Sequence, residues 1–185
     1  MKSIQTIFAE VLAILESLEI PYMIGGSVAA IAYGEPRLTL DMDVVIDLNS
    51  KQASLLAKSF GPEYYVNLES MREAIATHGH FNIIQSECGV KVDFYILKQD
   101  DYNLQQFQRR KSESFDENRQ AIFSSPEDII LKKLEWYKMG ESEKHLTDIA
   151  GILKVSRDKL NFDYIDKWAT QIGVADTWQK LKNNA

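Results

Sequence analysis

The sequence predicts an α+β chain, with strands and helices interleaved to about residue 124 and helices alone from 125 to 185. Three observations predict it. Short runs such as LDMDVVID (40–47) and KVDFYIL (91–97) alternate apolar and polar residues with a period of two, the mark of half-buried strands. Between them lie segments with apolar residues at helical spacing. After Ser124 the strand signals stop, and each segment carries helix start or stop signals.

Taken in order, residues 3–19 place Ile4, Ile7, Phe8, Val11, Leu12, Leu15 and Leu18 on one helical face, and Pro21 ends the run. YMIGG is a short strand running into a glycine turn. SVAAIAYG is a short helix starting near Ser27 and stopping at Gly34. EPR is a loop, and 40–47 is a strand. KQASLLAKSF is a helix closed by Gly61–Pro62, EYYVN a short strand, and ESMREAIATHG a helix. FNIIQ and KVDFYIL, around a turn at Glu87–Gly89, read as an antiparallel hairpin. Residues 101–110 suit a helix, and 109–125 a second hairpin or an exposed loop.

SPEDIILKKLEWYKMG has Ser125 as N-cap, Pro126 at the first helical position, Asp128 three residues on from the cap and Gly140 at the end. SEKHLTDIAGILKV, FDYIDKWATQIG and VADTWQKLKNN follow as helices. No long Gly/Pro/Ser linker separates 1–124 from 125–185, so the two parts are expected to pack together. Trp136, Trp168 and Trp178 are expected in the core or at an interface.

Composition is that of a globular protein, 45% hydrophobic and 26% charged. A net charge of −6 argues against a broad nonspecific grip on nucleic acid. The single cysteine, Cys88, excludes an intrachain disulfide framework. Glu10, Glu16 and Glu19 interrupt the apolar N-terminal run, which is unlike a signal peptide, and no stretch is long enough for a membrane span. The expectation is a cytoplasmic protein without a membrane partner.

The chemistry concentrates in IGGSVAAIAYGEPRLTLDMDVVID, residues 24–47. Alternation puts Asp41 and Asp43 on one face of a strand and Met42, Val44 and Ile46 on the other. Two close carboxylates repel unless a cation lies between them, and an all-oxygen set suits Mg²⁺. Asp93 is a third carboxylate, opposite an apolar face of Val92, Phe94 and Ile96. If its strand lies beside 41–47, the three could converge on one or two metal ions. Gly25 and Gly26 allow close backbone approach, and the helix starting near Ser27 offers N–H donors suited to phosphate. A Walker loop and a dinucleotide fingerprint are both absent.

GGS, then DMD, then an isolated aspartate in a later strand resembles the nucleotidyltransferase superfamily, whose fold is shared with DNA polymerase beta. The resemblance implies a mixed sheet with flanking helices (the catalytic domain, 1–124), followed by a helical bundle. The fuller stretch, with Arg37 and Thr39 before the aspartates, is similar to small bacterial members, among them the toxins of AbiE-type abortive-infection systems. SPEDIILKKLEWYKMGESEKHLTDIAGIL resembles two helices of those proteins. Lys132 or Lys133 matches a lysine of the first, and Lys144 with Asp148 a basic residue and Asp-Ile pair of the second. KHLTDI departs from the relatives, which often carry a basic residue directly before an acid.

The resemblance implies Mg²⁺-dependent transfer of a nucleoside monophosphate from an NTP to an acceptor, RNA or protein, with release of pyrophosphate. Asp41, Asp43 and Asp93 would be catalytic residues and metal ligands. Gly25, Gly26, Ser27, Arg37 and Lys132 or Lys133 would bind the nucleotide phosphates. A toxin would have a cognate antitoxin as partner. Two alternatives stand beside this reading: a non-catalytic nucleotide- or partner-binding protein of the same fold, and an enzyme that nucleotidylates an aminoglycoside or lincosamide. Against the last stands a chain short for a separate substrate domain. In a purely helical reading, Lys132 and Lys133 are solvated and Asp148 pairs with Lys144 at i,i+4.

Overall fold

The computed structural model describes residues 2–184, which pack as two compact units. One comprises the residues up to Ile24 together with Thr39–Gln108; the other comprises Gly25–Leu38 and the residues from Arg109 on. The division at 124 follows sequence character, whereas packing assigns the GGS segment and residues 109–124 to the unit that holds the C-terminal helices.

The first unit is a mixed sheet flanked by helices. Its strands are β1 (Tyr22–Ile24), β2 (Asp41–Ile46), β3 (Tyr64–Tyr65), β4 (His80–Gln85) and β5 (Lys91–Ile96), in spatial order β3-β4-β5-β2-β1. β4 and β5 form the expected antiparallel hairpin, and β1 runs antiparallel to β2. β2 and β5 pair in parallel, with Asp43 opposite Asp93 and Asp41 opposite Lys91. Parallel neighbours need a long crossover, and residues 47–90 supply it with α3 (Ser50–Ser59) and α4 (Leu68–Thr77).

Alternation decides which face of this sheet is buried. Met42, Val44, Ile46, Val92, Phe94, Phe81 and Ile83 are each at most 3% exposed, and Phe81 stacks on Phe94. Leu12 and Leu15 of α1 (Ile4–Ser17), Ala53 and Leu56 of α3, and Met71 and Ala74 of α4 join this core. α4 packs on β4 and β5. Helix starts follow the side chains available: Ser3 caps α1, Asn49 forms a capping box with Gln52 on α3, and Asn67 caps α4. α5 (Asp101–Gln108) ends the unit.

The second unit is built on helices. It holds α2 (Gly26–Tyr33), a hairpin of β6 (Lys111–Ser114) and β7 (Gln120–Phe123), then α6 (Pro126–Gly140), α7 (Glu143–Ser156), α8 (Phe162–Gln171) and α9 (Ala175–Asn184). Helices α6 to α9 form a bundle, and α2 packs on both α6 and α7. The close approach of α2 and α7 depends on Gly34, where an added Cβ would meet Ala30 O at 2.8 Å and Ile152 N at 2.9 Å.

Ser125 caps α6 as expected. Its Oγ accepts from the Asp128 N–H and donates to Asp128 Oδ2. Around this cap lies a buried polar cluster in which Arg109 pairs with Glu127 and Asp128, and Tyr164 donates to Asp128. Burial raises the Asp128 carboxyl, against the lowering effect of Ser125, Tyr164 and Arg109. Trp168 and Trp178 are buried, with Trp178 Nε1 donating to Asp166. Trp136 is 50% exposed and so lies outside the core, because α6 turns Ile129, Ile130, Lys133 and Leu134 inward instead.

Candidate functional site

The three candidate carboxylates lie in the first unit. β2 and β5 bury one face each and leave the other half-open. On the open side β2 carries Asp41 and Asp43, and β5 carries Lys91, Asp93 and Tyr95. Parallel register sets Asp43 beside Asp93, the side-by-side placement that the sequence required for convergence. On the far side of β5, Asn82 of β4 is the partner of Asp93, and His80 stacks on Tyr95.

Two side chains on this face are absent from the sequence-derived set. Lys91 Nζ lies 2.7 Å from Asp93 Oδ2. That hydrogen bond raises the Lys91 ammonium against a lowering by burial, and the charges of Asp93, Asp41 and Asp43 add to the rise. Tyr95 donates to Asp43; burial first, then the charges of Asp43 and Asp93, push its hydroxyl up to about 12. Period-two alternation holds the signal for both, because Lys91 and Tyr95 flank Asp93 at two residues' distance and must share its face.

The donor chemistry of this face fits Mg²⁺: three carboxylates from adjacent strands are hard oxygen ligands. Among the described residues, no group of three or more His, Cys, Asp or Glu is placed to hold a metal ion. Asp93 is engaged by Lys91 instead. Asp47 lies beyond the end of β2, exposed, with its N–H donating to Pro21 O.

A cationic network lies in the second unit. Gly25 follows β1 directly in the chain and stands at the N-cap of α2, where no side chain caps the first turn. Gly26 adopts φ +55°, a left-handed conformation that favours glycine. Ser27 Oγ accepts from Arg37 Nη2. Arg37 then forks onto Asp148, with Nε 2.9 Å from Oδ1 and Nη2 3.1 Å from Oδ2. Lys133 Nζ donates to the same Asp148 Oδ2. Ser27, Arg37, Asp148 and Lys133 thus form one network with two cations and one anion.

This corrects the expected pairing of Asp148 with Lys144. Asp148 faces inward from α7, 5% exposed at its side chain, and takes Lys133 and Arg37 as partners. Burial would raise its carboxyl, but hydrogen bonds from Arg37 and Lys133 prevail and hold it below the usual carboxylate value. The two candidate lysines separate. Lys133 is buried in the network, whereas Lys132 pairs along the helix with Glu135 at 2.9 Å. His145 stands half-buried one turn before Asp148; burial and then the Lys133 charge lower its imidazole. No sequence signal marks the Arg37–Asp148 pair, whose members are 111 residues apart.

No family model and no curated protein sequence matches the chain. Solved structures do. ANT(2'')-Ia in complex with adenylyl-2''-tobramycin matches with a TM-score of 0.62 at 15% identity, over 91% of this chain and 95% of that one. The lincomycin-bound lincosamide antibiotic adenylyltransferase LnuA matches with a TM-score of 0.55 at 13% identity, over 84% and 99%. An antigenic nucleotidyltransferase-like protein from Paracoccidioides brasiliensis matches with 0.56 at 22% identity, over 82% and 74%. The chain therefore shares the fold of these adenylyltransferase and nucleotidyltransferase-like structures.

Proposed function

We propose that the chain is a nucleotidyltransferase that moves a nucleoside monophosphate from an NTP to a hydroxyl group of a small acceptor. The observation that carries this is the register of β2 and β5, which sets Asp43 beside Asp93 with Asp41 on the same open face. In this reading Asp41, Asp43 and Asp93 hold Mg²⁺, as one or two ions. When bound, the metal supplies polarisation of the transferred phosphoryl group and neutralises charge on the leaving pyrophosphate. Asp93 accepts the proton of the acceptor hydroxyl. The acceptor oxygen bonds to the α-phosphorus as the bond from that phosphorus to the bridging oxygen breaks. Gly25, Gly26 and the uncapped first turn of α2 offer N–H donors to the triphosphate. Ser27, Arg37 and Lys133 add a hydroxyl and two cations, whereas Lys132 pairs with Glu135.

A small acceptor is favoured over RNA or protein by the fold neighbours whose own names specify antibiotics. The length of the chain is no objection to it. The chain spans 95% and 99% of those two structures, so a nucleotidyltransferase of this fold can act on an antibiotic without a further large domain. A net charge of −6 suits a cationic acceptor such as an aminoglycoside.

The test is incubation with Mg²⁺ and each α-labelled NTP against three acceptor classes: aminoglycosides and lincosamides, total RNA, and proteins. Label on a small product supports the proposal. Label on RNA or protein replaces it with the toxin reading, with an antitoxin as partner. No label in any class, with NTP binding retained, leaves a binding protein of this fold.

A further inference from the structure

Lys91 is the first residue of β5, on the same face as Asp93, and its register partner on β2 is Asp41. Its ammonium contacts Asp93 Oδ2, and the two side chains are 36% and 13% exposed. Three carboxylates on neighbouring strands repel one another. An ammonium among them relieves that repulsion, and it does so by occupying an oxygen that a divalent cation also needs.

We infer that Lys91 is the resident counter-ion of the acidic face, paired with Asp93 until a divalent cation takes that carboxylate, and so a positioning residue that sets how readily metal is held. This rests on the metal-binding reading of Asp41, Asp43 and Asp93. It accounts for two facts at once: the strands bring the carboxylates side by side, and the one of them on β5 is held by an ammonium from its own strand. An ordinary half-exposed ion pair would contribute little to stability, and its loss would leave metal affinity unchanged. A competing counter-ion behaves differently, because its removal frees an oxygen and deletes a positive charge beside the incoming ion.

Mn²⁺ titration at low ionic strength, followed by the electron paramagnetic resonance of the free ion, separates the two cases without an activity assay. The variants are Lys91→Met, Lys91→Arg and Asp43→Asn. K91M is expected to bind Mn²⁺ about tenfold more tightly than wild type, the scale of one unit charge acting on a divalent ion across a few ångströms of water-like dielectric. K91R should stay close to wild type, and D43N should lose binding. Metal-free K91M should melt below wild type, with Mn²⁺ closing the gap. Unchanged or weaker Mn²⁺ binding by K91M, with D43N still abolishing it, overturns the role of Lys91 and leaves the metal reading standing. Wild type that binds no Mn²⁺ overturns both.

Discussion

Asp148 holds two cations, and its loss would strand both. Its carboxylate takes the Arg37 guanidinium and the Lys133 ammonium, and Lys133 is itself 5% exposed. Removing one partner of a buried pair leaves an uncompensated charge, at about 3–5 kcal/mol. Asp148→Ala is therefore expected to lower the unfolding free energy by about that amount in urea, and Asp148→Asn by less, since an amide oxygen still accepts a hydrogen bond. The pH dependence has a definite sign. The folded-state value of Asp148 lies below its ordinary 3.8, so its contribution is fully present above that pH and disappears as pH falls through the folded-state value. The stability difference between wild type and D148A should shrink in acid below about pH 4, and a difference that is flat with pH would contradict the assignment. Asp148 also sets the geometry of the phosphate-binding proposal: Arg37 reaches Ser27 while held by Asp148, so D148N should raise the KM for NTP more than it lowers kcat.

Among the elements, α2 and α7 approach so closely that one position tolerates no side chain. A Cβ on Gly34 would come within 2.8 Å of Ala30 O and 2.9 Å of Ile152 N, both backbone atoms that cannot swing away. Gly34→Ala should destabilise the protein by about 1–3 kcal/mol through forced separation of the helices. Gly151→Ala is the control: its Cβ would meet Glu35 N at 3.3 Å, a contact that a small shift relieves. Thermal melts of the two variants should rank G34A below G151A, and equal melting temperatures would refute the account of this contact. Elements were legible in the sequence where a local rule governs them. Period-two alternation found β2 and β5, their buried faces and the shared face of Asp41 and Asp43, while Ser125 and Pro126 marked the start of α6. What depends on partners distant along the chain was not legible. Asp148 carries no mark of Arg37, and Trp136 faces outward because lysine and isoleucine positions of α6 claimed the interior.

For the molecule as a whole, the fold was legible in the order of strand, GGS turn, helix, DMD strand and later aspartate, and the solved nucleotidyltransferases match that fold over most of their length. The acceptor was not legible, because no short motif encodes a surface assembled from distant segments. Lys91 and Tyr95 lay within reach of the same alternation that identified Asp93. Parallel reactions with α-labelled and γ-labelled NTP in Mg²⁺, run with wild type and Asp43→Asn, decide whether the open face of β2 and β5 drives nucleotidyl transfer. Wild type should place the α label on the acceptor and release the γ label as pyrophosphate, and D43N should lower both by at least about a hundredfold, the scale of losing one electrostatic contact to the transition state. Transfer of the γ label to the acceptor, or full activity in D43N, would contradict that role of the face.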